Sequence, residues 1–129
     1  MADDLIPEDL KVFLLRRIDS IAQLEALLLL RANPELDWSA EALAKRLYIT
    51  AQETAGLLDS LCTDGFLIAQ GGRPLCYRYN PTSSELAHMV DRVAEIYARY
   101  LIPVTHLIHS KPRTRVQEFA DAFKLRKDT

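Results

Sequence analysis

Gln52 is the residue of this sequence best equipped to read another molecule, because its amide sets a donor beside an acceptor, the pattern that pairs bidentately with adenine. Thr50 and Thr63 flank it with hydroxyls able to donate to a phosphate or a base. Lys45 and Arg46 lie just upstream, and Arg73 and Arg78 downstream. Four such cations per chain, doubled in a dimer, suffice in principle for salt-dependent attachment to a polyanion. The stretch between them, Thr50 to Asp64, contains no lysine or arginine and carries Glu53, Asp59 and Asp64, a local charge of −3. Glu53 is in part accounted for by a capping box that turns it back onto the backbone; Asp59 is not.

Other chemistries find less support. His106 and His109, three apart on a helix, could share a metal with His88 or a carboxylate, but no cysteine or HExxH-type pattern accompanies them, and they read as polar residues on a partly exposed face. Cys62 and Cys76 form neither a disulfide framework nor a zinc spacing. They read as small semi-buried thiols, with a redox pair as the other reading. Neither sits in an activating context, no GxSxG or glycine-rich phosphate loop exists, and Gly71-Gly72 fits a hairpin turn. No enzyme, no metal site and no cofactor is expected.

The elements that must position these residues follow from periodicity and caps. Pro7 opens a helix with Leu10, Phe13, Leu14 and Ile18 on one face. Ser20 and Gln23 form a capping box for a nearly all-apolar helix that Asn33-Pro34 stops. "LDWS" gives a few extended residues, and Ser39 caps a helix from Ala40 to Leu47 with Leu43, Ala44 and Leu47 inward. After a turn at Tyr48-Ile49, Thr50 and Glu53 form a second capping box, so two helices stand three or four residues apart, the spacing of a helix-turn-helix. Placing Thr54, Leu57, Leu58 and Leu61 inward leaves Gln52, Gly56, Asp59 and Thr63 facing out. Gly65 ends this helix, and Gly56 within it costs roughly 1 kcal/mol relative to alanine, which close approach of a partner backbone would explain.

Phe66 to Gln70 and Pro74 to Asn80 flank Gly71-Gly72-Arg73 as a β-hairpin, with Tyr77 and Tyr79 on one face. Thr82 to Glu85 reads as a third capping box, opening a helix with Leu86, Val90, Val93, Tyr97, Tyr100 or Leu101, and Val104 at helical steps. If it runs on through Pro103 to His109 with a kink, its roughly 28 residues span roughly 42 Å. Pro112 restarts a last amphipathic helix with Val116, Phe119, Ala120 and Phe123 on one side.

The segment "LDWSAEALAKRLYITAQETAGLLDSLCTDGFLIAQGGRPLCYRYN" resembles a winged helix-turn-helix protein, and among these the bacterial regulators of the MarR and related types. The likeness covers Ser20 to Asn80. It implies a mainly α fold with a small β-hairpin wing, an α+β chain with a winged helix-turn-helix core, an added N-terminal helix and long C-terminal helices. Three segments are expected: residues 1–19 as a packing or dimerisation helix, 20–81 as the winged domain, and 82–129 as helices for dimerisation. The resemblance also implies a homodimer and a transcription regulator that binds double-stranded DNA, the second helix of the motif in the major groove and the wing on phosphates. Candidate DNA contacts are then Gln52, Thr50, Thr63, Lys45, Arg46, Arg73 and Arg78; candidate dimer contacts are Leu10, Phe13, Val90, Val93, Tyr97, Leu101, Phe119 and Phe123.

Composition bounds the rest. At 129 residues, 49% of them apolar, one compact domain plus an appended element is expected. A formal charge of −2 lacks the global basicity of many nucleic-acid binders, although a local basic surface can serve. The longest apolar run, Ala26 to Leu30, is far below the roughly 18 residues of a membrane span, and the acidic start is unlike a secretory signal. A soluble, cytoplasmic protein with no membrane partner is expected. A second partner class stays open: another regulatory protein, held on the uncharged face of the Thr50 helix or on the Phe119 and Phe123 stripe. The basic flanks of that stripe, Lys111, Arg113, Arg115, Lys124, Arg126 and Lys127, fit either the acidic N-terminal helix or additional phosphates. Trp38, Tyr48, Tyr77 and Tyr79 fit core and hairpin packing, with a ligand pocket as the other reading.

Overall fold

The computed structural model describes residues 5–110. The chain runs α1 (Glu8–Arg17), α2 (Ile21–Ala32), β1 (Trp38–Ser39), α3 (Ala40–Leu47), α4 (Ala51–Thr63), β2 (Leu67–Gln70), β3 (Cys76–Tyr79) and α5 (Ser84–Arg99). A sixth helix, α6, occupies residues 101–110. The expected Phe119 and Phe123 helix, and the basic residues around it, lie outside the described residues.

Local signals set most boundaries. Ser20, Ser39 and Thr50 each accept a hydrogen bond from the backbone N–H three residues on, closing the first turns of α2, α3 and α4. Gly65, at φ +90, stops α4 in a Schellman arrangement: its own N–H donates to the Cys62 carbonyl, and that of Phe66 to the Leu61 carbonyl.

Two boundaries differ from expectation. Ser83, not Thr82, caps α5, since Thr82 is used elsewhere: its N–H donates to the Gly65 carbonyl and its side chain packs against the Gly65 backbone. The long C-terminal helix is also two helices, broken at Tyr100 (φ −130, ψ 57) rather than kinked at Pro103. A proline three residues into α6 needs no intrahelical N–H partner, so the chain breaks before it and restarts with it in the first turn.

The three strands form an antiparallel sheet in the order β1-β3-β2, with Trp38 opposite Tyr77 and Leu67 opposite Tyr79. Beneath it lies one continuous core, drawn from Leu10, Phe13, Leu14 and Ile18 of α1, Leu24, Leu27 and Leu30 of α2, Leu58 and Leu61 of α4, Phe66, and Val90 and Val93 of α5. The described parts of the three expected segments therefore share their buried surface. No described helix is long and apolar enough to cross a membrane.

Polar pins tie the outer helices on. Asp9 of α1 and Arg92 of α5 form a bidentate pair, and the hydrogen bond from that guanidinium holds the Asp9 carboxyl below the usual range. The Arg17 guanidinium donates to the Asp64 carbonyl oxygen at 2.7 Å and lies 5.3 Å over the Phe66 ring. Gln23, fully buried, accepts from the Asp19 N–H and donates to the Ser60 hydroxyl at 3.3 Å, bridging α2 to α4.

Tyr97 of α5 donates to Glu25 of α2 at 2.6 Å, and burial, reinforced by that carboxylate, pushes its phenol up to about 12. A raised folded-state pKa favours the protonated, folded form, so this contribution is complete below about pH 10 and is lost as pH climbs towards 12. Tyr97→Phe is expected to cost about 0.5–1.5 kcal/mol in urea unfolding at neutral pH. The gap from wild type narrows at pH 11; a constant gap across that range would contradict the assignment.

Candidate nucleic-acid interface

α4 is half embedded and half bare. Thr54, Leu58 and Leu61 are buried and Leu57 half-buried, while Ala51, Gln52, Glu53, Ala55, Gly56, Asp59 and Thr63 are exposed. The expected inward and outward sets are the ones observed, with Ala55 added to the outer face. Among the described residues, Gln52 and Thr63 have no side-chain hydrogen-bond partner on that face.

Thr50 does not. Its hydroxyl accepts from the Glu53 N–H and donates to the Glu53 carboxylate, both at 3.0 Å, so the donor expected for a phosphate is already committed. The same bond draws the Glu53 charge to the helix start, where the dipole is favourable. Asp59 sits on the side of the wing: its charge, after burial itself, helps to raise the Tyr77 phenol.

The four candidate cations divide. Lys45 and Arg73 are exposed, with no acidic partner among the described residues. Arg46 is exposed too, but its guanidinium lies 5.8 Å over the Trp38 ring, which fixes its direction. Arg78, expected on a phosphate, is held instead by Asp37, its Nε and Nη2 donating to the two carboxylate oxygens at 3.0 and 3.2 Å. The register dictates this pairing. With Trp38 opposite Tyr77 and Ser39 opposite Cys76, continuing the ladder by one residue brings Asp37 beside Arg78.

The wing turns through Gly71, at φ +85, and carries Arg73 at its exposed tip. Between wing, α4 and the start of α3 lies a shallow groove of about 270 Å³ lined by Ala40, Glu41, Ala55, Arg73, Pro74 and Leu75 among others. Trp38 and Tyr77 belong to the core and Tyr79 packs against it, so these aromatics serve the sheet. Tyr48 stands apart, 93% exposed and in the left-handed region at φ 59, ψ 39, a conformation that costs a non-glycine residue about 1–2 kcal/mol.

Of the residues expected at a dimer interface, Leu10, Phe13, Val90, Val93 and Tyr97 are buried inside this chain. Their stripes are consumed by α1 and α5 packing on the common core, which periodicity alone could not distinguish from a partner's surface. Leu101, 50% exposed, does face outward, and Ile102 beside it, 60% exposed, was not anticipated. Phe119 and Phe123 lie outside the described residues. Among the described residues, no group of three or more His, Cys, Asp or Glu is gathered as a metal site.

Sequence reasoning also missed Arg17 and Asp37, whose partners are 47 and 41 residues away. No local signal marks such pairs.

No protein-family model matches the chain, and no curated protein matches it in sequence. Solved structures do match in shape. A homodimeric winged helix-turn-helix DNA-binding domain from Mycobacterium bovis, a possible ArsR-family transcriptional regulator, is 19% identical over 72% of this chain and 82% of that one, with a TM-score of 0.54. A mutant form of MarR from E. coli is 16% identical over 98% of this chain and 86% of that one, with a TM-score of 0.53. The wild-type apo form of the same protein gives 17% identity, 98% and 87% coverage, and 0.50. The chain has the winged-helix fold of these regulators.

Gly56 lies on the bare face, and a Cβ added there meets nothing within 4 Å. Gly56→Ala is therefore expected to raise stability by about 0.5–1 kcal/mol, read from the urea midpoint. A loss of stability would show that the chain itself, and not an external partner, needs the glycine.

Proposed function

We propose that this winged-helix chain is a transcriptional regulator of bacterial type that binds duplex DNA as a homodimer. The observation that carries the reading is the outer face of α4: capped and anchored from below, uncovered by the described residues, presenting Gln52 and Thr63, with Lys45 exposed on the preceding helix and Arg73 exposed on the wing. In a symmetric dimer the two α4 helices enter successive major grooves roughly 34 Å apart. Gln52 pairs with an adenine edge, Lys45 and Arg73 take phosphates, and Arg46 adds charge beside Trp38. Arg78 keeps the wing joined to β1 rather than touching DNA. The domains that match in shape supply the precedent: one is itself described as a homodimeric DNA-binding domain.

A second reading, docking of a regulatory protein on the same face, is favoured by the mostly apolar groove between α4 and the wing and by the absence of any cation on α4.

The two readings separate in fluorescence anisotropy with a mixed-sequence duplex. Two phosphate contacts per subunit, four per dimer, predict binding weakened on the order of a hundredfold between 50 and 200 mM salt. Lys45→Ala with Arg73→Ala is expected to abolish most of that salt dependence. Absence of binding at 50 mM salt, or indifference to the double substitution, would leave the protein-docking reading in its place. Light scattering at micromolar concentration is expected to give twice the chain mass; the mass of a single chain would remove the homodimer.

A further inference from the structure

Tyr48 is the most exposed of the chain's large hydrophobic side chains among the described residues, at 93%, and it occupies a backbone conformation suited to glycine. It closes α3 as the C-cap, its N–H donating to the Ala44 carbonyl, a bond that any residue would make there. Its side chain belongs to no core cluster, ring pair or hydrogen bond among the described residues. A strained residue is normally retained because packing or hydrogen bonding around it holds it. None of the described residues holds the side chain, which leaves its ring and hydroxyl available to a partner.

Its place says what that is. The turn joins α3, with Lys45 three residues before, to α4, with Gln52 four residues after. Along the chain Tyr48 thus lies between the cation assigned to phosphate and the amide assigned to a base. We propose that Tyr48 contacts the sugar-phosphate backbone of duplex DNA, its hydroxyl donating to a phosphate oxygen and its ring lying against the sugar. This rests on the DNA reading above and adds to it a contact from the turn itself. Exposed Lys45 three residues before it, and the positive end of the α4 dipole following it, favour a phosphate over an apolar protein surface. Contacts to the backbone carry no sequence information, so the effect must be the same on every duplex.

The test uses the full chain with Tyr48→Gly and Tyr48→Phe, thermal unfolding, and anisotropy on two unrelated duplexes of about 30 base pairs, enough for half-sites one turn apart. Tyr48→Gly relieves the left-handed strain and is expected to raise the Tm by roughly 4 °C or more. The same variant is expected to bind both duplexes roughly fivefold more weakly at 50 mM salt, against a roughly twofold loss for Tyr48→Phe, which keeps the ring. Unchanged affinity in Tyr48→Gly, with wild type binding normally, overturns this inference alone. A loss confined to one duplex overturns it in favour of a base contact, and a lowered Tm shows that the fold needs the side chain. If wild type itself binds neither duplex, the DNA reading has failed and this contact with it.

Discussion

The Arg17 guanidinium is the interaction on which the presentation of α4 depends. A helix that keeps one face bare must be held by its other face and its two ends, and the C-terminal end of α4 has no basic residue in its last turn. Arg17 supplies the missing cation from α1, donating to the Asp64 carbonyl at the negative end of the helix dipole. It is held there by the Phe66 ring, and Phe66 meets Phe13 of α1 edge to face with centroids 6.1 Å apart. One side chain thereby joins the first helix, the end of α4 and the start of the wing. The other end is closed by Thr50 and Glu53, and the middle is pinned by Gln23 to Ser60.

This arrangement explains which parts of the fold were legible in the sequence. Ser20, Ser39, Thr50 and Gly65 act on backbone groups within a few residues, so their meaning is local and survives without a structure. Thr82 fails the same reasoning because Gly65, brought close by the hairpin, claims it and hands the cap to Ser83. The pairs Arg17 with Asp64, Asp37 with Arg78, and Tyr97 with Glu25 depend on tertiary proximity alone. Periodicity likewise marked Leu10, Phe13, Val90 and Val93 as a face needing cover, and was silent on whether this chain or another supplies it. The chain supplies it.

For the interface, the structure reduces the cations and also reduces what opposes them. Arg78 is withdrawn by Asp37, but Glu53 is drawn to the helix start by Thr50 and Asp64 lies at the far end beside Arg17, so Asp59 remains the main local repulsion on the face. On the proposed reading, Lys45 and Arg73 are left to hold phosphates while Gln52 reads a base. Such an interface relies on placement more than on charge: few cations give weak attraction to any duplex, and discrimination must come from how well one rigid face fits.

Anchorage from below and exposure above together give the face its character. Gly56 and Tyr48 are both positions where a different residue would suit the fold better, one for helix propensity and one for backbone conformation, and neither is explained by a neighbour among the described residues. At the capped helix starts and at the glycine that stops α4, local choices and tertiary packing agree. Disagreement at the turn and outer face of a helix-turn-helix is the mark that selection for binding, rather than for folding, would leave. Gln52 alone is a weak argument for a reading helix; exposed neighbours that forgo stability with no compensation among the described residues make a stronger one.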